Sequence, residues 1–310
     1  MNFRNQNNRF IFRMVLFLLL LFIIDRGIGM LLYRFYFKQD SGLYYRTTYS
    51  IDSNRADILV FGSSRANHHY VPEVFEDSQK MSFYNTGRDG SSILFSYAVF
   101  SAIIDRYTPK IVLFDITPGE LNYNPESYER LSSLLPYYHD HPGVQQVVAL
   151  RSPFEKVKLL SSIYPYNSTI ITIALGNSSF NKSRKKDRHG YVPVFNQMPD
   201  NTSLPAGSPN FHVDLNKLSA INSIVCACKK KHIRLIFVES PIYFRITETR
   251  TSCILAENTK KYDVEYYDYC NEAVFLRKPS CFADMNHLND EGATLFSKIL
   301  ANKIKTSRIN

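Results

Sequence analysis

Apolar residues fall along this chain in three patterns. There is one long block near the start, then several short runs bounded by polar residues, and periodic stretches between those runs. Met14–Ile24 is unbroken apolar; Phe10, Ile11 and Phe12 extend it past Arg13, and Gly27–Tyr33 continue it beyond Asp25-Arg26. The strict run is shorter than the roughly 20 residues needed to cross a bilayer and would suit a signal-peptide core. No small-x-small cleavage site follows it, however. Tyr33, Arg34, Phe35, Tyr36, Phe37 and Lys38 follow instead, the aromatic and basic mix of a membrane interface. The block therefore reads as an uncleaved single-pass anchor over residues 9–37, behind a short tail of residues 1–8. Asp25 and Arg26 are expected to pair or to lie near the head groups. Arg4, Arg9 and Arg13 precede the span without an acid, which favours the N-terminus inside and the remainder on the extracytoplasmic or periplasmic side. Arg26, Arg34 and Lys38 work against that orientation.

Residues 38–54 are polar and Tyr-rich and read as a linker. From residue 55 the pattern changes. Asp57–Phe61 is a short apolar run closed by Gly62, the signature of a buried strand. Ser82–Tyr84, Ile111–Asp115, Ile233–Val238 and Val264–Asp268 look alike, and Ser92–Tyr107, Leu215–Lys230 and Asp290–Lys305 are helical in period. Strands alternating with helices predict an α/β domain over 55–310 with a parallel sheet covered on both faces. Residues 121–210 break the alternation with Pro, Asn and Ser clusters. They read as an insertion lying over the site or against the bilayer.

Charge and cysteine content narrow the picture. Lys and Arg exceed Asp and Glu by 37 − 28 = 9. Part of the excess is the run Lys182–Arg188, either a solvated loop or an attraction to an anionic membrane or polymer. Basic residues are otherwise dispersed, with no nucleic-acid-binding pattern. Cys226 and Cys228 stand too close for the usual metal-ligand spacing and read as buried thiols. Outside the cytoplasm one pair among Cys253, Cys270 and Cys281 would be able to form a disulfide. Four matches to the glycosylation sequon, at Asn167, Asn177, Asn181 and Asn201, carry little weight in an Asn- and Ser-rich region.

The candidate chemistry sits at both ends of the domain. In an open parallel sheet, functional groups collect at the carboxyl ends of strands. Gly62-Ser63-Ser64-Arg65 follows the first strand, placing a hydroxyl among free backbone N–H groups at a helix start; an ordinary Ser N-cap would look the same. Arg65, His68 and His69 follow, as substrate contacts or helix-surface groups. Asn85-Thr86-Gly87-Arg88-Asp89-Gly90 follows the second strand with two glycines. Near the C-terminus, Asp284-Met285-Asn286-His287 offers a base with an acid to orient it, just before a helix that Asn289 or Asp290 would cap.

Taken in order, these blocks resemble the SGNH/GDSL hydrolase superfamily over roughly residues 55–120 and 230–305. The resemblance implies a flavodoxin-like three-layer fold with Ser64 as nucleophile, His287 as base and Asp284 as its orienting acid. Ser63 stands where the family usually has Asp. The oxyanion hole is implied at the backbone of Ser64 and Gly90, with Gly87 as the alternative. The family's third block normally supplies an Asn; Phe114–Glu120 has none, leaving Asp115, Thr117 and the nearby Asn122 as the polar groups. The anchor, the Gly-Ser-Ser spelling and that departure make the chain similar to a membrane-tethered subset. Its examples are the teichoic-acid D-alanyl transfer and alginate O-acetylation proteins, which work beside multi-span acyltransferases. The implied activity is esterase or O-acyltransferase chemistry on an acylated exported polysaccharide or other ester, with no metal or cofactor. Two other roles fit the same residues: a non-catalytic glycan binder, and an assembly partner of a membrane acyltransferase.

Overall fold

The computed structural model describes residues 3–178, 188–199, 211–247 and 249–307. Most of the basic run and the sequons at Asn181 and Asn201 lie outside the described residues. Five strands form one parallel sheet: β1 (Ile58–Phe61), β2 (Phe83–Asn85), β3 (Ile111–Asp115), β4 (Arg234–Glu239) and β5 (Glu265–Asp268). Their order is β2-β1-β3-β4-β5, the flavodoxin-like arrangement of a doubly wound α/β fold. Each strand lies where a short apolar run predicts one.

Alternation along the central strands sorts their side chains onto two faces. Ile58, Val60, Ile111, Leu113, Ile236 and Val238 point to one core, covered by α3 (Ser64–His69), α4 (Pro72–Gln79) and α12 (Asp290–Thr306). Leu59, Phe61, Val112, Phe114, Leu235 and Phe237 point to the other. That second face is covered by α5 (Ile93–Arg106), α7 (Pro142–Val148), α10 (Leu215–Lys230) and α11 (Arg250–Tyr262). Burial on both faces explains why these strands read as continuous apolar runs. α12 starts where the sequence caps it: the Asn289 side chain accepts the Gly292 N–H at 2.9 Å.

The structure differs from expectation in three places. Residues 38–54 are not a loose linker. They contain α2 (Gly42–Thr48) and a π-helical turn over Tyr49–Ser53, and they bury Thr47, Ser50, Ile51 and Asn54. The tyrosines that made the stretch look polar supply the packing area; the Tyr49 and Tyr84 rings lie 5.0 Å apart. All five cysteines are free thiols, so no pair among Cys253, Cys270 and Cys281 is bridged. Cys228 is buried, which pushes its thiol up to about 12, but Cys226 is exposed, because two residues along a helix turn to different sides. α11 is a further element, begun by the Thr249 hydroxyl accepting the Ser252 N–H at 3.0 Å; its largely polar sequence hid it.

Within the insertion lie α6 (Pro125–Glu129), a 3-10 helix over Arg130–Tyr137, α7, α8 (Glu155–Lys158) and α9 (Ile170–Gly176). The first part walls the carboxyl edge of the sheet, and the later part runs along the N-terminal helix α1 (Phe3–Phe37). α1 is long and apolar enough to cross a membrane.

The Phe61, Phe100 and Phe114 rings interlock, Phe61 stacking on Phe114 at 4.8 Å and Phe100 meeting Phe61 edge-on at 5.7 Å. Truncating Phe114 to Ala is expected to cost about 3–5 kcal/mol of stability, read from urea unfolding of the detergent-solubilised chain. A loss below about 1 kcal/mol would contradict this core.

Candidate active site

β1 ends at Phe61, and the chain must turn at once into α3. Gly62 makes the turn with φ +145°, and a Cβ there would sit 2.6 Å from the Asp115 carbonyl oxygen. Ser63 is the N-cap residue and Ser64 the first residue of α3. The strand order reverses between β1 and β3, so Ser64 lies at the crevice where such sheets bind ligands. A contact of 3.2 Å between the Ser63 and Thr117 hydroxyls bridges the two strand ends.

The C-terminal loop is a tight, self-bonded turn. Phe282 and Leu288 form an antiparallel bridge, and the Ala283 N–H donates to the His287 carbonyl at 2.8 Å. Oδ1 of Asp284 accepts the N–H groups of Asn286 at 2.8 Å and His287 at 3.0 Å. The same carboxylate holds the ring of His287, with Nδ1 at 2.8 Å from Oδ2. That contact places the proton on Nδ1 and leaves Nε2 bare. Nε2 faces the Ser64 Oγ at 2.7 Å. Partial burial works to raise the Asp284 pKa, but hydrogen bonds from His287 and from the Asn286 backbone outweigh it, so the pKa is lowered and the group stays ionised at neutral pH. An alcohol, an imidazole and a carboxylate in this order can deprotonate the alcohol as it attacks and stabilise the imidazolium that forms.

A second histidine holds the two pieces together. The Leu288 N–H donates to Nε2 of His69 at 3.0 Å, so the His69 proton sits on Nδ1 and points to the Ser240 Oγ at 2.8 Å. Arg65 Nε also donates to that hydroxyl, at 3.1 Å, and its guanidinium reaches the Ser240 carbonyl. Arg65 and His69 are thus buried beneath α3; they are neither substrate contacts nor surface groups. His68 lies beside the His287 ring, edge-on at 5.7 Å, with Nδ1 2.6 Å from the Val192 carbonyl and Nε2 3.2 Å from Asp89. Burial opposes its charge, yet the bonds to Asp89 and Val192 prevail and raise its pKa. Burial likewise opposes the Asp89 charge, but His68 and Asn67 hold that carboxyl down at about 2.

Beside Ser64 opens a cleft of about 360 Å³. Gly90, at φ +69°, lines it together with Thr117 and Asn122. Gly87 does not: it packs against the Ala66 and Asn67 backbone. Asp115 is turned away as well. It follows Phe114 in β3, so it faces the α3 side, where its carboxylate accepts the Tyr70 hydroxyl at 2.6 Å and lies 3.9 Å from Arg65. Two further wall residues escaped sequence reasoning. Arg130, from the insertion, lies against Gly90 and pairs with Glu126 at 2.5 Å. Lys217 Nζ donates to the Glu120 and Asn122 carbonyls at 2.9 and 3.0 Å. Apart from glycines, Pro118 is the only apolar residue among the described residues of the wall.

No protein-family model matches the chain, and no curated protein matches it in sequence. Among solved structures, the chain is similar to a proposed lipolytic protein of the G-D-S-L family from Desulfitobacterium hafniense DCB-2. Identity is 11%, over 79% of this chain and 97% of that one, with a TM-score of 0.41. It is similar to a proposed acylhydrolase from Bacteroides fragilis NCTC 9343, at 12% identity over 86% and 99%, TM-score 0.40. A third is a protein described as a proposed platelet activating factor from Streptococcus pneumonia, at 12% identity over 94% and 98%, TM-score 0.38. The site stands on the distances above.

His69 has a measurable signature. Burial, and then the neighbouring Arg65, His287 and His68, drive its pKa well below the ordinary 6.5. The unfolded chain takes up a proton near 6.5 that the folded chain refuses, so this contribution to stability is full above that pH and falls below it. His68 acts in the opposite sense: its folded pKa is raised, so its stabilisation is present at low pH and fades as pH rises. Comparing wild type with His69→Asn separates the two. The variant is expected to flatten the stability loss between about pH 6.5 and 5, read from urea midpoints. An unchanged slope would contradict a buried neutral His69.

Proposed function

We propose that the chain is a serine-dependent O-acyl esterase or O-acyltransferase of the SGNH/GDSL type. In this reading α1 tethers it to the membrane, and it acts outside the cytoplasm on an acylated, hydroxyl-rich polymer. The observation that carries the reading is the contact between Ser64 Oγ and His287 Nε2 at 2.7 Å, with Asp284 behind the ring at 2.8 Å.

In the proposed reaction, Ser64 Oγ attacks the ester carbonyl carbon as His287 Nε2 takes its proton. Backbone N–H groups of Ser64 and Gly90 receive the oxyanion, with the Thr117 hydroxyl or the Asn122 amide in the cleft as third donor. Losing one such donor typically costs ~2.7–4 kcal/mol of barrier. The tetrahedral intermediate collapses, the ester C–O bond breaks, and His287 returns the proton to the leaving alcohol. Water or a sugar hydroxyl then attacks the acyl-Ser64 carbonyl and gives its proton to His287; the acyl C–Oγ bond breaks, and His287 returns that proton to Ser64 Oγ. Hydrolysis and transfer differ only in that acceptor.

The wall chemistry supports a polar partner. A site for a long acyl chain is lined by apolar side chains. Here Ser92, Thr117, Asn122, Glu126 and Arg130 present hydroxyl, amide and charged groups, suited to a sugar and a short acyl group. Three arginines before the apolar block, at positions 4, 9 and 13, support an outward-facing domain.

The test is turnover of a chromogenic acetyl ester by the detergent-solubilised chain. Ser64→Ala and His287→Ala are each expected to lower kcat by about 10,000-fold or more with little change in KM. Turnover equal to wild type in both variants would remove the proposal.

A further inference from the structure

The chain's exposed apolar side chains are not scattered. Outside α1, the described residues expose eleven large hydrophobic side chains, and seven of them lie between Leu150 and Leu175. Phe154, Val157, Leu160, Ile170 and Ile171 are 45–75% exposed, on and around two short helices, α8 and α9. Scattered surface leucines need no explanation, but a concentrated patch does.

The patch lies beside α1 and is bonded to it. Asp25 accepts the Ser161 hydroxyl at 2.5 Å and the Ser162 N–H at 2.8 Å. Arg26 donates to the Ser162 hydroxyl at 2.6 Å and to the Leu160 carbonyl. Further along, Asn177 donates to the Phe35 carbonyl at 2.8 Å. Segment 160–177 therefore runs alongside α1 from Asp25 to Phe35. Its side chains meet one stripe of that helix, on which Gly29 and Tyr36 are buried and Asp25 and Leu32 partly so.

Length then decides how deep this segment sits. The part of α1 that projects free of the domain and is apolar but for Arg13 runs from residue 10 to residue 24, about 22 Å of helix at 1.5 Å per residue. A hydrocarbon core is about 30 Å thick. Roughly 8 Å must come from the next five or six residues, where Asp25 and Arg26 are bonded to residues 160–162. Matching the bilayer to α1 thus draws the base of the patch to the hydrocarbon boundary. The patch suits that position. Glu155 is the only acid between residues 150 and 177; it is buried and neutralised by Arg151 and Lys158, each at 2.9 Å. What remains exposed carries no acid: it is apolar or basic, apart from the uncharged Asn167, Ser168, Thr172 and Asn177, a mix that suits an interfacial position. A carboxylate at membrane depth needs partners, and Ser161 and Ser162 supply them to Asp25.

We infer that residues 150–175 form a pad embedded in the outer-leaflet interface of the bilayer that α1 crosses. This rests on reading α1 as a membrane anchor. The pad holds the domain seated on the membrane rather than swinging on its tether, and so fixes the height of the Ser64 cleft above the lipid.

The sequence has no tryptophan, so single substitutions give clean probes. Full-length Phe154→Trp, Ile171→Trp, Leu18→Trp and Val274→Trp are reconstituted in phosphatidylcholine–phosphatidylglycerol vesicles carrying phospholipid brominated either near the carbonyl or near the chain end. Leu18 marks α1, and Val274 marks the far β5 edge of the sheet. The expected result is strong quenching of the Phe154→Trp and Ile171→Trp probes by the shallow bromines, of the Leu18→Trp probe by the deep ones, and none for Val274→Trp. If Leu18→Trp is quenched while Phe154→Trp and Ile171→Trp behave like Val274→Trp, the pad is overturned and the anchor stands. If Leu18→Trp is not quenched, the anchor reading falls and the pad with it.

Discussion

The site depends on one buried, neutral imidazole. His69 closes α3, the helix that begins with Ser64, and accepts the N–H of Leu288, the residue after His287. Its other nitrogen is tied to Ser240 at the end of β4. One ring therefore connects the first strand's helix, the fourth strand and the final loop, which are separated by most of the chain. Protonating it would turn the acceptor toward Leu288 into a donor facing a donor. Burial keeps it uncharged, and its two bonds hold the final loop against α3, the helix that begins with Ser64.

The fold makes that meeting possible. Reversal of strand order between β1 and β3 opens a crevice, and Gly62 lets the chain turn into α3 without a Cβ colliding with the Asp115 carbonyl. Helices cover the central strands on both faces and bury their side chains in two cores. The insertion adds the Arg130 side of the cleft. Its later part adds the apolar surface beside α1, so the same excursion both shapes the cleft and meets the proposed membrane.

Much of this was legible in the sequence, for physical reasons. Buried parallel strands must be short apolar runs, and β1, β3 and β4 were visible as such, while β2 and the half-buried edge strand β5 were marked by their aromatic residues. Helices α10 and α12 showed their period because each buries one face, and α5 stood out as apolar because it is buried nearly all round. Ser64, Asp284 and His287 stood out because few residue types carry acyl-transfer chemistry. Other features depend on tertiary placement that spacing does not encode. Asp115 looked available at a strand end, yet side-chain alternation turns it under α3 to Tyr70. His69 looked like His68, and only the position of Leu288 distinguishes them. Arg130 comes from a region without a strong period, and the tyrosines of residues 38–54 read as polar until packing used their rings.

The proposed chemistry requires that His287 make Ser64 nucleophilic. The most direct measurement is labelling of the folded, full-length protein with a fluorophosphonate, with the modified residue located by mass spectrometry. A single adduct on Ser64 is expected, lost when His287 is replaced by Ala. A folded protein whose Ser64 stays unmodified, or is modified equally well without His287, would contradict it.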